Sequence, residues 1–246
     1  MQIIRSVLFN RFPGIACGMN TKIGLDRHAP FYFNLSYSVG DDSATVTENR
    51  KAFWAEFGLT ESQIAFQKQI HSDIITYTNK PGNVGESDAL ITDVPGLGIA
   101  VSTADCTPVL IYDPVKKIIA AVHSGWRGTQ KRILEKTLKK LLSEFGSSVN
   151  DLFIFIAPSI SQKNYEVGEE VAALFTSKYL KPNGGKYLLD VKGVNYDILI
   201  ENGIPENQIE LNDLCTYEEK NLLHSYRRDG KQSGRAMCLL VMRNDN

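Results

Sequence analysis

Between residues 89 and 123, four short apolar runs follow one another with only turn-like separators. They cover Ala89–Thr92, 97–102, 108–112 and 118–123. The separators are rich in Gly, Pro and Asp, and none of the runs is long enough for a helix. This is the pattern of strands in a sheet core. Asp113-Pro114 breaks the chain between two runs that can pair as a hairpin. The same stretch, 88–129, carries Cys106 and His123, and His71 stands shortly before it. These are three of the few soft or imidazole side chains in a chain with four Cys and four His.

The rest of the chain places elements around that core. From Asp42 the spacing of Val46, Arg50, Phe53, Trp54 and Phe57 predicts a helix, with an N-cap in Asp41-Asp42-Ser43 and a stop at Gly58. Ile64, Phe66, Lys68 and Ile70 alternate as a strand that delivers His71 at its end. Residues 74–77 form a second strand, and Lys80-Pro81-Gly82-Asn83 a turn. After Gly125-Trp126-Arg127-Gly128-Thr129 comes the clearest helix: Leu134, Leu138, Leu141, Leu142 and Phe145 line one face, and Gly146 ends it. Residues 152–157 read as a buried strand, 167–179 and 194–202 as weaker helices, and Ile209–Leu211 and Ala236–Met242 as closing strands. Residues 1–40 mix short strands with loops. With no repeat or linker, one domain over 1–246 is expected, in mixed α/β layers.

Composition narrows the function classes. At 43% hydrophobic and 22% charged residues, a chain of 246 residues can bury a core without help from disulfides or metal. A net charge of −1 argues against nucleic acid or an anionic membrane as the main partner. No apolar run approaches a membrane span, and the N-terminal stretch is broken by Asn10, Arg11 and Pro13 before it could serve as a signal. Cys17, Cys106, Cys215 and Cys238 show no paired spacing, as expected of free thiols in a cytoplasmic protein.

Three chemistries compete for the central stretch. His71, Cys106 and His123 form a His–Cys–His set of the kind that holds catalytic zinc, with gaps of about 35 and 17 residues that suit neighbouring strand ends. A buried Cys with two satisfied histidines fits the same spacing. Cys106 could instead be a nucleophile with His123 as base and Asp105 as orienter. Ser124 to Thr129 leads into the strongest helix, so Arg127 with the backbone of Gly128 and Thr129 makes a candidate phosphate seat. Thr129 as a plain N-cap and Arg127 as a surface charge are the alternatives there.

At this point the residues resemble a known family. DALITDVPGLGIAVSTADCTPVLIYDP followed by AAVHSGWRGT is very similar to the bacterial laccase-domain family, also called multicopper polyphenol oxidase-like. FNLSYSVGDD, ENR, QIHSD, APSISQKNYEVGEEV, LCT and SYRRDGKQSGR extend the match along nearly the whole chain. Members have been reassigned as purine nucleoside phosphorylases with adenosine deaminase activity. The resemblance implies an α/β (α+β) layered sandwich of mixed sheets flanked by helices, and His71, Cys106 and His123 as zinc ligands. It implies phosphorolysis of adenosine, inosine, guanosine and methylthioadenosine, with inorganic phosphate as co-substrate, and deamination of adenosine.

On that footing Asp105 is expected to orient a ligand or move a proton, and Arg127, Gly128 and Thr129 to hold phosphate. Arg50 is a further phosphate candidate, and Asn34 and Gln69 are pocket candidates by motif match. Zinc is favoured over copper, because four histidines cannot build a multicopper site. A monomer or homodimer is expected. Two departures stand out: Ser38 where many members have His, and Lys163-Asn164 where many have a Cys pair. The Cys106–His123 amide hydrolase of cell-wall precursor editing, a polyphenol oxidase and a zinc-stabilised binding module remain the alternatives.

Overall fold

A computed structural model describes residues 1–244. β1 (Ile3–Ile4), β2 (Ile15–Asn20) and α1 (Ser43–Ala55) come first, then β3 (Ile64–Lys68), β4 (Ile75–Tyr77), β5 (Gly82–Glu86) and β6 (Ala89–Thr92). The centre holds β7 (Gly98–Thr103), β8 (Thr107–Asp113), β9 (Ile118–Ser124), α2 (Trp126–Gln130) and α3 (Ile133–Phe145). β10 (Phe153–Ile156), β11 (Glu166–Val167), α4 (Glu169–Ala172), β12 (Leu180–Asn183), β13 (Lys186–Leu189) and α5 (Val191–Glu201) follow. β14 (Ile209–Leu211), α6 (Tyr226–Asp229) and β15 (Ala236–Met242) complete the order.

Two six-stranded mixed sheets form, in the orders β1-β2-β15-β7-β3-β5 and β14-β10-β8-β9-β6-β4. They pack face to face through Met19, Ile99, Val101, Cys238 and Leu240 from the first and Leu90, Leu110, Ile119, Ala121 and Phe155 from the second. The outer face of the second sheet, with Ile91, Val109, Ala120 and Val122, packs on Leu134, Leu138 and Leu141 of α3 and Ile198 of α5. Phe53 and Trp54 of α1 cover Ala100, Met237 and Leu239 on the outer face of the first. The result is the expected α/β sandwich, in four layers.

This layering explains why β8, β9 and β15 read as unbroken apolar runs. Each is buried on both faces, so successive residues alternate between the inter-sheet core and a helix-covered face. Each fully buried Leu or Ile contributes about 2 kcal/mol of transfer free energy. The strand read as closing the chain, β15, lies in the middle of its sheet between β2 and β7. α1 begins where expected, with Asp42 accepting from Thr45 N. α3 ends on Gly146 in a left-handed conformation, with Ser147 N bonded to Leu141 O.

Three local expectations are corrected. Gly82 and Asn83 do not turn; they pair in parallel with Ala65 and Phe66. The helix expected over 167–179 is only α4, followed by a 3-10 turn at Ser177–Tyr179. The backbone carbonyl of Thr176 accepts from Tyr179 N there, the i to i+3 bond of a 3-10 turn in place of a continued α-helical ladder. Next, β12 and β13 form a hairpin on Gly184-Gly185, both at positive φ, and with β11 make a small third sheet. Finally, the 125–129 motif does not cap α3. It forms α2, and Arg132 in a left-handed conformation separates the two helices.

Candidate metal centre and active site

Strand register brings the central residues together. In the β8–β9 hairpin Pro108 pairs with His123 and Thr107 with Ser124, so Cys106 comes to lie beside Gly125. A Cβ on Gly125 would sit 2.8 Å from Cys106 Sγ and 3.2 Å from His71 Cδ2, so only glycine leaves the thiol its space. On β9, His123 continues the inward alternation of Ile119 and Ala121. The β6–β9 pairing of Ala89 with Val122 sets Asp88 next to His123, whose N–H donates to Asp88 O at 2.7 Å.

Asp88 then organises the site. Its Oδ1 lies 2.8 Å from His123 Nδ1, which fixes the ring with Nε2 left for another partner. The same carboxylate accepts from the backbone of His71 at 3.1 Å and of Ser72 at 2.6 Å, and from Ser72 Oγ at 2.7 Å. His71 therefore lies three residues beyond the end of β3, in a left-handed turn at φ 57°. Its Nε2 is 4.0 Å from Cys106 Sγ, and the two imidazole rings meet edge to face at 4.9 Å. One ligand atom from each of His71, Cys106 and His123 lies within 4.8 Å of the others.

The electrostatics suit a soft cation. Burial opposes ionisation of Cys106, but the charge and hydrogen bond of His123 and a bond from His71 outweigh it and bring the thiol down to about 6. Burial likewise opposes the charged form of His123, and the Cys106 thiolate and Asp88 raise it to about 9. Against its own burial, Asp88 is held down to about 2 by His123 and Ser72. A thiolate, two imidazoles and a carboxylate orienting one of them form a donor set into which zinc fits.

Two cavities meet at this cluster, sharing His71, Ala104, Cys106 and Tyr226. One, of about 390 Å³, is flanked by Trp126, Arg127, Ile160, Tyr165 and Arg227. The other, of about 660 Å³, extends along the margin of the first sheet past Ser38, Arg50, Phe66, Gln67, Met237 and Arg235.

The remaining expected site residues are scattered by function. Arg127 reaches the smaller cavity, its guanidinium 4.3 Å over the Trp126 ring. Thr129 is buried, its Oγ1 bonded to Ser124 Oγ at 2.8 Å and accepting from Asn195 at 3.1 Å, while its N–H donates to Gly125 O at 2.8 Å and Gly125, not Thr129, is the N-cap. Gly128 packs against Ser72 and His123 backbone. Arg50 lines the larger cavity but is tied to Glu61 at 2.8 Å and to Leu35 O. Gln69 also lines it, and its amide pairs with both backbone groups of Ser102, replacing the ladder where β3 ends. Asn34 is fully buried, bonded to Ser36, Asp41 and Arg235 N, and lines neither cavity. Asp105 does not orient His123. Its two oxygens accept from Thr216 Oγ1 at 2.6 Å and Arg227 N at 2.7 Å, bonds that hold it at the strained φ of 98° from which Cys106 is presented. Of the two departures, Ser38 lines the larger cavity, and Lys163 pairs with Glu218 at 3.0 Å beside Asn164.

Asp88 and Ser72 escaped the sequence reading, as did the placing of Arg227 and Arg235 at the cavities. Asp88 had a legible signal: a carboxylate opening a wholly apolar strand needs partners for its buried charge. His224 is buried, its Nε2 3.4 Å from Phe33 O.

Residues 16–243 match the family model described as multi-copper polyphenol oxidoreductase laccase. A purine nucleoside phosphorylase of Bacteroides thetaiotaomicron is 42% identical over 163 residues, 63% of this chain and 60% of that protein's length. Purine nucleoside phosphorylase YlmD of Bacillus subtilis is 32% identical over 93% of this chain and 89% of its own. Its counterpart YfiH of Shigella flexneri is 35% identical over 90% and 91%. Among solved structures, YfiH of Bacillus licheniformis superposes with a TM-score of 0.92 at 29% identity, covering 98% of this chain and 96% of that one. YlmD of Geobacillus stearothermophilus gives 0.92 at 26%, covering 99% and 97%. Among the described residues, no helix is long and apolar enough to cross a membrane.

Proposed function

The chain belongs to the multi-copper polyphenol oxidoreductase laccase family, and on that premise we propose that it is a zinc-dependent purine nucleoside phosphorylase that also deaminates adenosine. The observation that carries the reading is the convergence of His71, Cys106 and His123 where two arginine-bearing cavities meet. The names of the relatives supply the reaction class; the pocket supplies room for a nucleoside and an anion together. Copper oxidase chemistry fits poorly, because among the described residues only this one group of three donors converges.

Zinc held by His71, Cys106 and His123 would supply Lewis acidity and an acidified water, the chemistry that deamination at purine C6 requires. The chain's own residues do the rest. Asp88 holds the His123 ring and the turn that carries His71. Asp105 fixes the backbone of Arg227, and Arg127 offers a guanidinium to the phosphate. In phosphorolysis a phosphate oxygen bonds C1′ as the bond from C1′ to N9 breaks. The electron pair leaves with the purine, which takes up the proton that the phosphate brought.

The test is to mix zinc-loaded protein with adenosine, with and without phosphate, and to follow inosine, adenine and ribose 1-phosphate. Absence of all three products would sink the purine reading. A second reading has its own observation: a Cys106 thiolate paired with His123, itself oriented by Asp88, is the arrangement of a thiol hydrolase. That reading expects fast alkylation of Cys106 unaffected by zinc, whereas a zinc ligand is shielded by the ion.

A further inference from the structure

The two cavities differ in a way that divides the substrates between them. In the smaller, Arg127 and Arg227 have no carboxylate partner among the described residues. Each instead lies over an aromatic ring, Arg127 4.3 Å from the centroid of Trp126 and Arg227 4.9 Å from that of Tyr165. Arg227 is fixed further by a bond from Nη1 to Glu166 O at 2.7 Å and by its backbone bond to Asp105. Two stacked guanidiniums on one rim, with donors to spare, match a tetrahedral oxyanion. In the larger cavity Arg50 is neutralised by Glu61 and Lys68 by Glu86 at 2.8 Å. Its third cation, Arg235, lies 5.2 Å from the Tyr226 centroid without a carboxylate partner among the described residues. But Arg235 stands alone there, and its Nη1 is turned onto Ser233 O at 2.7 Å and Gly234 O at 3.1 Å. The lining of this cavity mixes Phe66, Ala100 and Met237 with Gln67, whose buried amide finds no partner in the protein among the described residues. An apolar stretch of wall beside an unpaired amide suits a purine nucleoside.

We propose that inorganic phosphate binds between Arg127 and Arg227 in the smaller cavity while the nucleoside occupies the larger one, the two meeting at the His71–Cys106 seam. This rests on the phosphorylase reading and deepens it. It assigns Arg227 as a second phosphate-binding residue and Asp105 as the positioning residue behind it. Displacement at C1′ needs the phosphate oxygen and the departing purine on opposite sides of that carbon. Two cavities that reach the same seam from different elements provide this. The smaller comes from α2, α6 and the Tyr165 loop, the larger from β3, β7 and β15.

The experiment measures initial rates against phosphate at saturating nucleoside, and against nucleoside at saturating phosphate. Arg127→Gln and Arg227→Gln are each expected to raise the KM for phosphate at least about tenfold, the loss of one charge-assisted pair, with the nucleoside KM within about twofold. Ser38→Phe, at an exposed position of the larger cavity, is expected to do the reverse. Arg227→Lys, which keeps charge but not the paired donors, should fall between. The opposite pattern, with the arginine variants moving only the nucleoside KM, overturns the division while leaving the phosphorylase reading standing. If the wild type releases no base from any purine nucleoside, that reading fails. Equilibrium dialysis of labelled inorganic phosphate then decides the seat separately. Binding by the wild type that both Gln variants lose supports it, and no binding at millimolar phosphate overturns it. Arg127, which makes no side-chain hydrogen bond among the described residues, keeps the test valid should Arg227→Gln fold poorly.

Discussion

His123 and His71 face the same thiol, yet one is built into the sheet and the other hangs on a turn. His123 sits on a fully buried strand, and its Nδ1 is locked to Asp88. His71 is exposed, lies outside any strand, and is placed through main chain, Asp88 gripping its backbone and that of Ser72. One carboxylate thus fixes a rigid ligand by its side chain and a movable one by its main chain. A metal site divided this way keeps its fold-side donors in place whether or not the third closes. The difference implies that the two halves fail differently under mutation.

The largest effect is expected at Asp88. Asp88→Asn turns an acceptor toward groups that are themselves donors and strips His123 of its counter-charge. At about 1–3 kcal/mol for each buried donor left unsatisfied, a loss of about 3 kcal/mol or more in stability should accompany the loss of bound zinc. His71→Asn keeps a residue that tolerates the left-handed turn. It should abolish zinc retention while the chelated protein melts within about 0.5 kcal/mol of wild type. Thermal melts with chelator, beside metal content per chain, check both. Equal destabilisation by the two variants would erase the contrast.

Next comes pH. His123, raised to about 9, contributes stability that is complete below its ordinary 6.5 and is lost as pH rises through about 9. Cys106, lowered to about 6, contributes stability present above its ordinary 9.0 and lost as pH falls through about 6. The two requirements overlap between about 6 and 9, so the thiolate–imidazolium pair should strengthen the chelated protein only in that window. Zinc must displace the His123 proton, so calorimetry near pH 7.5 in two buffers should show about one proton released per ion. Release near zero would mean the pair is not charged before the metal arrives.

How much of this was legible in the sequence follows the same divide. The sheet core was readable because strands buried on both faces leave continuous apolar runs, and β6 and β9 lie almost where the runs did. The His–Cys–His set was visible as residue types, but its assembly depends on cross-strand register, which no spacing states. What stayed hidden were contacts made through backbone. Asp88 acts on N–H groups that every residue has, and Gln69 imitates a strand with its amide. The 125–129 motif was misread because Thr129 looks like a cap until Ser124 and Asn195 are seen around it. Residues 180–189 show no clear alternation, and the hairpin there rests on Gly184-Gly185, whose paired positive φ values are what a tight turn needs.

A smaller effect is expected at Gly125. In Gly125→Ala the new Cβ must push Cys106 Sγ away from 2.8 Å, and His71, the ligand on the turn, can yield where β9 cannot. Stability should fall by about 1–2 kcal/mol, as for a modest overpacking, while zinc affinity drops more steeply. Competition with a chromophoric chelator measures the second; unchanged affinity would show that the thiol has slack the register does not suggest.

The smallest change in stability, and the one of opposite sign, belongs to Gln67. It lies on β3 just before the strand gives way to the His71 turn, and both ends of its buried amide are unpartnered among the described residues. Natural cores seldom tolerate such a group, because its desolvation is not offset by a bond. Gln67→Met keeps the volume and removes the cost, so the unliganded protein should melt higher by about 1 kcal/mol. If the amide is held open for the substrate of the larger cavity, the same variant raises the nucleoside KM and leaves the phosphate KM alone. A variant that is instead less stable would mean the amide is already satisfied within the fold. The rigid side of the site would then extend one strand further than the contrast between His123 and His71 places it.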